Sequence, residues 1–158
     1  MDLILWRHAE AIELPESHAY DPVSDLARTL TTRGEKQAAR MGAWLDRQLP
    51  ESAKIYTSPA VRAQATVCNL GRKFQTVAAL SPDTTVADLL TLSQWPSGKQ
   101  TLVLVGHQPS LGRLIAQLLA LQTQDCTIKK GAVWWLRSRT REAGQQTVLV
   151  TVQSPEFV

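Results

Sequence analysis

Short apolar segments alternate with amphipathic segments along most of the chain. Residues 2–6, 54–57 and 101–105 are short runs of apolar, β-branched and aromatic side chains, which is typical of buried strands. Between these runs, apolar residues recur every three or four positions, as they do on one face of a helix. Strands that alternate with helices predict an α/β domain with a mainly parallel sheet. The helical faces are Ala38, Met41, Leu45 and Leu49; Ala63, Val67, Leu70 and Phe74; and Leu111, Leu114, Ile115, Leu118 and Leu119.

The remaining segments extend this pattern. Residues 83–95 indicate a weaker helix, and residues 131–137 and 147–153 indicate an antiparallel pair of strands across a turn near Gly144. Residues 9–31 are polar, lack periodicity and exceed the usual length of a connection, so we expect a loop with a functional role. Because no repeat, low-complexity tract or linker interrupts the chain, we predict one domain over residues 1–158.

Three sequence signals mark helix starts. Thr32 and Glu35 fit a capping box, with Thr32 as the N-cap and Glu35 at the third helical position. Pro59 and Pro109 stand where a first helical turn tolerates proline. We therefore expect helices to begin near residues 32, 59 and 109.

Composition and charge narrow the class of protein. The chain has 158 residues, of which 44% are hydrophobic and 20% charged, as in ordinary globular proteins. No apolar run approaches the ~20 residues of a membrane span, and the start does not resemble a signal peptide. Cys68 and Cys126 lack CxxC spacing, and with three histidines they make a poor metal set. We expect two reduced thiols in a cytoplasmic protein.

The net charge of +3 does not by itself identify a partner. The 17 lysines and arginines are scattered without a basic run, which argues against a nucleic-acid surface. Small acidic substrates fit this modest net positive charge better than nucleic acid does.

Polar residues follow each of the three predicted buried strands. Arg7 and His8 come after residues 2–6, Arg62 follows 54–57, and His107 follows 101–105. If these strands are parallel, their carboxyl ends face one crevice, and two helix N-termini near the prolines point at the same place. Two arginines, two imidazoles and two helix N-termini predict a site for an anion, and phosphoryl is the natural one because guanidinium groups match its oxygens.

These residues resemble the motifs of a known family, the histidine phosphatase superfamily, which includes relatives of phosphoglycerate mutase and acid phosphatase. The matching motifs occur in the expected order between residues 3 and 112. The short chain, Arg28 and the segment 80–82 are most similar to the SixA-type phosphohistidine phosphatases. Ala9 stands where glycine is commoner, which is tolerated unless that position needs a positive φ. The motifs are Arg7-His8-Ala9, Leu30-Thr31-x-x-Gly34-x-x-Gln37-Ala38, Ser58-Pro59-x-x-Arg62-Ala63-x-x-Thr66 and Gly106-His107.

The resemblance implies a fold and a role for each residue. The fold is a three-layer α/β/α sandwich of the phosphoglycerate-mutase-like kind with a mixed, mainly parallel sheet. His8 is the nucleophile and must be neutral, which Arg7 and Arg62 favour by disfavouring the imidazolium. Arg7, Arg62 and a protonated His107 hold the phosphoryl oxygens, and Arg28 is a candidate further ligand. We expect no metal and no cofactor.

A general acid is missing from its usual place in the family. The stretch 76–82 contains no carboxylate, although an alkoxide leaving group usually needs a proton donor. Imidazole leaves from a phosphoramidate with a conjugate-acid pKa of about 6.5 and needs little assistance. The sequence therefore favours P–N over P–O substrates, unless Asp83 or Asp88 serves as the acid.

The function expected from these arguments is hydrolysis of phosphohistidine on a phosphotransfer protein of a signalling relay. We expect a monomer that binds neither nucleic acid nor membrane. Two alternatives stay open: a small-molecule phosphomonoesterase that uses Asp83 or Asp88, and a non-catalytic module that binds phosphoproteins. Glu10 is a further residue that could orient an arginine.

Overall fold

The centre of the computed structural model, which describes residues 1–19 and 21–158, is a six-stranded mixed sheet. Its strand order is β3-β2-β4-β1-β5-β6. The first four strands along the chain pair in parallel, and β5 and β6 add antiparallel partners at one side. The predicted α/β class and the mainly parallel sheet are confirmed. The strands are β1 (Asp2–Arg7), β2 (Lys54–Thr57), β3 (Gln75–Thr76), β4 (Leu102–Gly106), β5 (Val133–Arg141) and β6 (Gly144–Gln153).

Helices cover both faces of this sheet. Short 3₁₀ turns occur at Glu16–His18, Ala78–Leu80 and Pro155–Phe157. Within the residues that the structure describes, no helix is both long enough and apolar enough to cross a membrane. The α-helices are α1 (Pro22–Leu26), α2 (Thr32–Gln48), α3 (Val61–Cys68), α4 (Val86–Ser93) and α5 (Ser110–Leu118).

Alternating side chains of the central strands bury against the two helical layers. Ile4 and Trp6 of β1 belong to a core cluster that also holds buried residues of α2 and α3. Leu3 and Leu5 point the other way, into a cluster with buried residues of α4 and α5. Because successive strand residues face opposite sides, one strand supplies both cores, and the three-layer arrangement follows.

The start of α2 differs from the predicted capping box by one residue. Thr31, not Thr32, is the N-cap, because its Oγ1 accepts the N–H of Gly34 at 2.9 Å. Thr31 Oγ1 also donates to Glu10 Oε1 at 2.9 Å. The cap thereby joins the start of α2 to the segment that follows β1.

Both prolines precede the helices they were expected to open. Pro109 is the N-cap of α5, and Pro59 lies two residues before the first residue of α3. The α3 helix also ends earlier than its periodicity predicted. Leu70 and Phe74 lie after Cys68, outside the helix, but they still pack into the same core. The regular spacing of apolar residues therefore continued past the end of the helix, because the residues beyond it also face the core.

The long polar segment contains structure that the sequence did not predict. It holds the five-residue helix α1 and one 3₁₀ turn, and Ala11 bridges Leu30 where the segment returns. The helix α1 has only five residues, and its apolar residues Val23 and Leu26 are not buried, so it is too short to show a helical periodicity. The expected loop is therefore a partly helical excursion whose end returns to Ala11, near its own start.

Candidate functional site

The carboxyl ends of β1, β2 and β4 lie side by side, as the sequence predicted. His8 N–H donates to the Gly106 carbonyl at 3.1 Å, and Ser58 N–H donates to the Val105 carbonyl at 3.0 Å. These bonds continue the parallel ladders past the strand ends. They bring the segments that carry His8, Arg62 and His107 to one edge of the sheet, where all three side chains are buried.

His8 presents a single ring nitrogen to the site. Its Nδ1 lies 2.7 Å from the Ala9 carbonyl oxygen, and because a carbonyl only accepts, Nδ1 carries the proton. The lone pair is then on Nε2, which accepts from Arg62 Nε at 3.3 Å. The nitrogen able to attack an electrophile therefore points at Arg62.

Burial keeps His8 neutral. Removal from water is the main reason that its pKa falls from 6.5 to about 3, and the nearby charges of Arg62, Arg7 and Arg28 lower it further, while the bond to Ala9 opposes the change. The sequence predicted a neutral imidazole and attributed it to the two arginines. Their effect has the expected sign, but it is smaller than the effect of burial.

His107 faces His8 from the end of β4. The two ring centroids are 5.1 Å apart, and His107 Nε2 lies 2.8 Å from Ser58 Oγ. Burial, followed by the neighbouring His8 and the arginines, lowers the pKa of His107 to about 2. His107 is therefore neutral in this structure, and the expectation of a protonated His107 refers to the site with a phosphoryl group bound, which stays a prediction.

Arg62 is held by a carboxylate that the sequence analysis did not single out. Arg62 Nη1 donates to the Asp25 backbone carbonyl at 2.7 Å, and Arg62 Nη2 lies 3.1 Å from Asp25 Oδ2. Asp25 Oδ1 also accepts from Arg28 Nη1 at 3.2 Å. Burial lowers the pKa of Arg62, and Asp25 opposes that shift. Asp25 thus offsets part of the cost of burying the guanidinium.

Arg28 reaches the site through this same carboxylate. Its Nε donates to the Ile12 carbonyl at 2.7 Å, which anchors it to the long segment. Its positive charge lowers the pKa of both His8 and His107. Arg28 therefore acts on the site electrostatically, whereas Arg62 bonds to His8 directly.

Arg7 leaves part of its guanidinium unpaired. Arg7 Nη1 donates to the Ile128 carbonyl at 2.7 Å, while Arg7 Nε and His107 Nδ1 are buried without a hydrogen-bond partner among the described residues. An unpaired buried polar atom costs roughly 1–3 kcal/mol, so such atoms are rare. Two of them in one cluster of cationic and imidazole side chains fit a pocket shaped for an anion.

The backbone after His8 is fixed by residues of the sequence motifs. Ala9 N–H donates to Thr66 Oγ1 at 3.0 Å, and Glu10 N–H donates to Gln37 Oε1 at 3.0 Å. A Cβ on Gly34 would lie 1.9 Å from the Glu10 carbonyl oxygen, so this helix position requires glycine. Ala9 is not among the residues with positive φ, and the departure from the family motif costs nothing here.

The segment 76–82, in which the general acid of the family was expected, buries only Leu80. Leu80 is buried and approaches Gly106, where an added Cβ would lie 3.5 Å from the Leu80 side chain. Asp83 and Asp88 are exposed, and the N–H of Asp88 bonds to the helix cap Thr85. Asp88 is thus engaged at the start of α4, as expected for a residue of a first helical turn.

Other candidate ligands behave as ordinary surface groups. Glu10 lies 4.0 Å from Arg33 and bonds to Thr31, so it does not orient Arg7 or Arg62. His18 is exposed and contacts Ser17. In the part of the chain described, no three histidine, cysteine or acidic side chains gather into a metal-ligating cluster.

Asp25 and Ser58 are the two site residues that sequence reasoning missed. Ser58 was part of a motif, but its contact with His107 was not foreseen. Asp25 stands three residues before Arg28, a spacing that brings side chains together on a helix. That spacing was the available signal, and the missing periodicity of α1 concealed it.

The two buried histidines predict an acid-sensitive fold. Their pKa values are about 3 and about 2 here, against 6.5 when unfolded, so the unfolded chain binds more protons as the pH falls below 6.5. We expect the free energy of unfolding to drop by up to about 1.4 kcal/mol per pH unit for each histidine. Urea unfolding between about pH 6.5 and 5 measures this slope. The slope should be smaller in His107→Ala, and an unchanged slope would contradict the prediction.

The fold, with His8, Arg62 and His107 together at the carboxyl ends of its parallel strands, fits an enzyme that handles phosphoryl groups through a histidine. The model of the "Histidine phosphatase superfamily (branch 1)" matches residues 3–88, which is more than half of the chain. The chain belongs to this superfamily.

Named relatives fall in the same group. The chain is 28% identical to the phosphohistidine phosphatase SixA of Escherichia coli over 131 residues, covering 78% of this chain and 77% of the relative. It is 31% identical to a SixA homolog of Haemophilus influenzae over 134 residues, covering 75% and 77%. A solved structure of the protein histidine phosphatase SixA complexed with tungstate matches with a TM-score of 0.72 at 23% identity, covering 98% and 97%. The last comparison shows that the fold is the same, and the resemblance read from the motifs is confirmed.

Proposed function

We propose that this phosphatase hydrolyses the P–N bond of phosphohistidine on a phosphotransfer protein. The observation that carries the proposal is that a neutral, correctly tautomeric His8 is combined with a segment 76–82 that contains no carboxylate and whose buried residue is Leu80. The named relatives that are phosphohistidine phosphatases support the same substrate class.

In the first step, His8 Nε2 attacks phosphorus and forms a new N–P bond. The P–N bond to the substrate histidine breaks, and its electron pair leaves with the imidazole of the carrier protein, whose other ring nitrogen already carries a proton, so that neutral imidazole is released. Arg7 and Arg62 surround the transferring group and stabilise the charge on its oxygens. Arg62 is already in contact with Nε2, so it moves from the lone pair to phosphoryl oxygen when the substrate binds.

In the second step, water attacks the phosphorus of phospho-His8. The P–Nε2 bond breaks, inorganic phosphate leaves, and neutral His8 returns. His107 is neutral before binding, and a phosphoryl dianion beside it raises its pKa. The imidazole then gains a proton and contributes a charged hydrogen bond, which is the role that the sequence had given to it.

The leaving group explains why an acid is dispensable. Imidazole departs with a conjugate-acid pKa of about 6.5, whereas an alkoxide is the conjugate base of an alcohol whose pKa is similar to the roughly 15.7 of water. The segment 76–82 offers an alkoxide no carboxyl group, and Asp83 and Asp88, which follow it, are exposed. A P–O ester therefore lacks the proton that its leaving group requires.

The experiment compares phosphate release from a phosphorylated histidine phosphotransfer domain and from a simple alkyl phosphate. We expect turnover of the phosphohistidine domain and an ester rate lower by at least about 10²-fold, the usual contribution of general acid catalysis. Asp83→Asn and Asp88→Asn serve as matched variants and should leave both rates unchanged. Fast ester hydrolysis that either variant abolishes would establish a phosphomonoesterase instead. Release from neither substrate, with the protein folded, would favour a binding module.

A further inference from the structure

A groove lined by cations lies beside the candidate site, between α2 and the C-terminal turn. Its volume is about 600 Å³. Arg33, Lys36 and Arg40 supply its charge, and their spacing of three and four residues puts them on one face of α2. We call this surface the basic groove; it is lined by Arg33, Lys36, Gln37, Arg40, Pro155 and Glu156.

The cations at the middle of the basic groove are available to a partner. Lys36 and Arg40 are exposed, and neither forms an ion pair within the residues that the structure describes. Arg40 makes a long contact of 3.5 Å with the Pro155 carbonyl. Arg33 lies 4.0 Å from Glu10 and Glu156 also lines the groove, so the charge is partly neutralised at these two places.

The basic groove is joined to the backbone that carries His8. Gln37 in its floor accepts the N–H of Glu10 at 3.0 Å. Gly131 N–H donates to the His8 carbonyl at 3.0 Å, and a Cβ on Gly131 would lie 2.9 Å from Pro155 Cγ and 3.5 Å from Gln37 Cβ. The groove wall and the nucleophile segment are therefore neighbours, and a whole protein bound at His8 is large enough to reach the groove.

Two more lysines continue the same surface. Lys129 and Lys130 are exposed and directly precede Gly131, and Lys129 lies 3.8 Å from Glu156. With the three cations of the basic groove they make five positive side chains, against the two carboxylates Glu10 and Glu156. The rest of the chain carries twelve charges of each sign, so this surface accounts for the entire net charge of +3.

We propose that the basic groove, together with Lys129 and Lys130, docks an acidic face of the protein that carries the phosphohistidine. The proposal rests on the proposed function, because it concerns the part of that substrate which lies outside the phosphoryl site formed by Arg7, His8, Arg62 and His107. A protein-borne histidine brings its surrounding surface to the site mouth, and opposite charges there steer encounter and fix orientation. Phosphoramidate, a small molecule with the same P–N bond, does not extend into the groove.

The test measures both substrates with charge-reversed variants. Lys36→Glu combined with Arg40→Glu reverses the charge at the centre of the groove and changes no residue of the phosphoryl site. The matched control is Lys54→Glu combined with Lys99→Glu, since these exposed lysines lie at the amino ends of β2 and β4, at the opposite edge of the sheet. The probes are phosphoramidate and a phosphorylated histidine phosphotransfer domain of net negative charge.

We expect the groove variant to lose about tenfold in kcat/KM on the phosphorylated domain, mainly through KM, and to keep its rate on phosphoramidate. The control variant should retain both rates, and the wild-type rate on the domain should fall with salt more steeply than the groove variant's. Equal rates on the domain for wild type and groove variant would overturn the docking surface, while turnover by wild type would still uphold the proposed function.

A binding measurement keeps the two proposals separate. If the wild type releases phosphate from neither probe, the proposed function fails, but fluorescence anisotropy of the labelled, unphosphorylated domain still reports docking. Weaker binding to the groove variant than to the control supports the surface, and equal binding refutes it. A different result would also refute it. If the groove variant alone loses binding to duplex DNA while its binding to the domain is unchanged, the groove is a nucleic-acid surface.

Discussion

Replacing His8 with alanine should lower phosphate release from a phosphohistidine domain by roughly 10³-fold or more, the scale seen when a nucleophile is removed from a concerted site. The reason is that the reaction then has no Nε2 to accept the phosphoryl group, and water must attack the substrate directly. Stopped assays of phosphate release under saturating substrate measure the loss.

The matched control is His18→Ala. His18 is exposed, and its imidazole bonds to its neighbour Ser17, so its replacement should change turnover less than about twofold, as for most surface substitutions. An alkaline quench of the wild type, followed by mass spectrometry, should find one phosphoryl group on His8. Retention of turnover in His8→Ala would remove this residue from the mechanism.

Stability provides a second, independent readout for the same variant. Because the buried His8 resists protonation, its removal should make the fold less sensitive to acid rather than unfold it. The loss of activity in His8→Ala is therefore distinguishable from loss of structure. The thermal midpoint measured at pH 7 and at about pH 5 separates the two.

The main site was predictable because it depends on strand direction. Arg7, His8, Arg62 and His107 each follow a buried strand, and parallel strands bring their carboxyl ends to one edge. Apolar runs reveal buried strands directly from the sequence, so the convergence of these four residues required only that the strands be parallel. Pairing of β1 with β4 and of β2 with β4 meets that requirement.

Asp25 could not be placed in this way. It lies on α1, a helix of five residues that buries none of them, and so short a helix leaves no periodic signal. Its contact with Arg62 joins residues 37 positions apart, and it depends on where a long excursion returns to the sheet. Local patterns contain no information about that return.

The charge state of the histidines could be predicted only in part from the sequence. Nearby arginines indicated a neutral His8, but the larger cause is removal from water, which depends on the packing of the whole edge. The same burial makes His107 neutral before an anion binds. Side-chain types predict the sign of neighbouring charges, whereas desolvation requires the three-dimensional structure.

Arg62→Ala should reduce kcat/KM on the phosphohistidine domain by about 10²- to 10³-fold, the usual effect of removing one donor that stabilises transition-state charge. Arg62→Lys should recover little of it. The guanidinium bonds at once to His8 Nε2 through Nε and to Asp25 through both terminal nitrogens, and an ammonium group has no planar fork with which to make these contacts together.

Asp25→Asn complements this variant, because it removes the carboxylate that binds the Arg62 guanidinium and leaves the guanidinium in place. The backbone carbonyl of Asp25 still accepts from Arg62, so we expect a smaller loss, about tenfold, as for residues that orient a direct ligand. If Asp25 acts through Arg62, Asp25→Asn should cost almost nothing once Arg62 is alanine, and a double-mutant cycle of kcat/KM measures this coupling. Additive losses would mean that the two residues act separately, and that Asp25 serves the site through Arg28 instead.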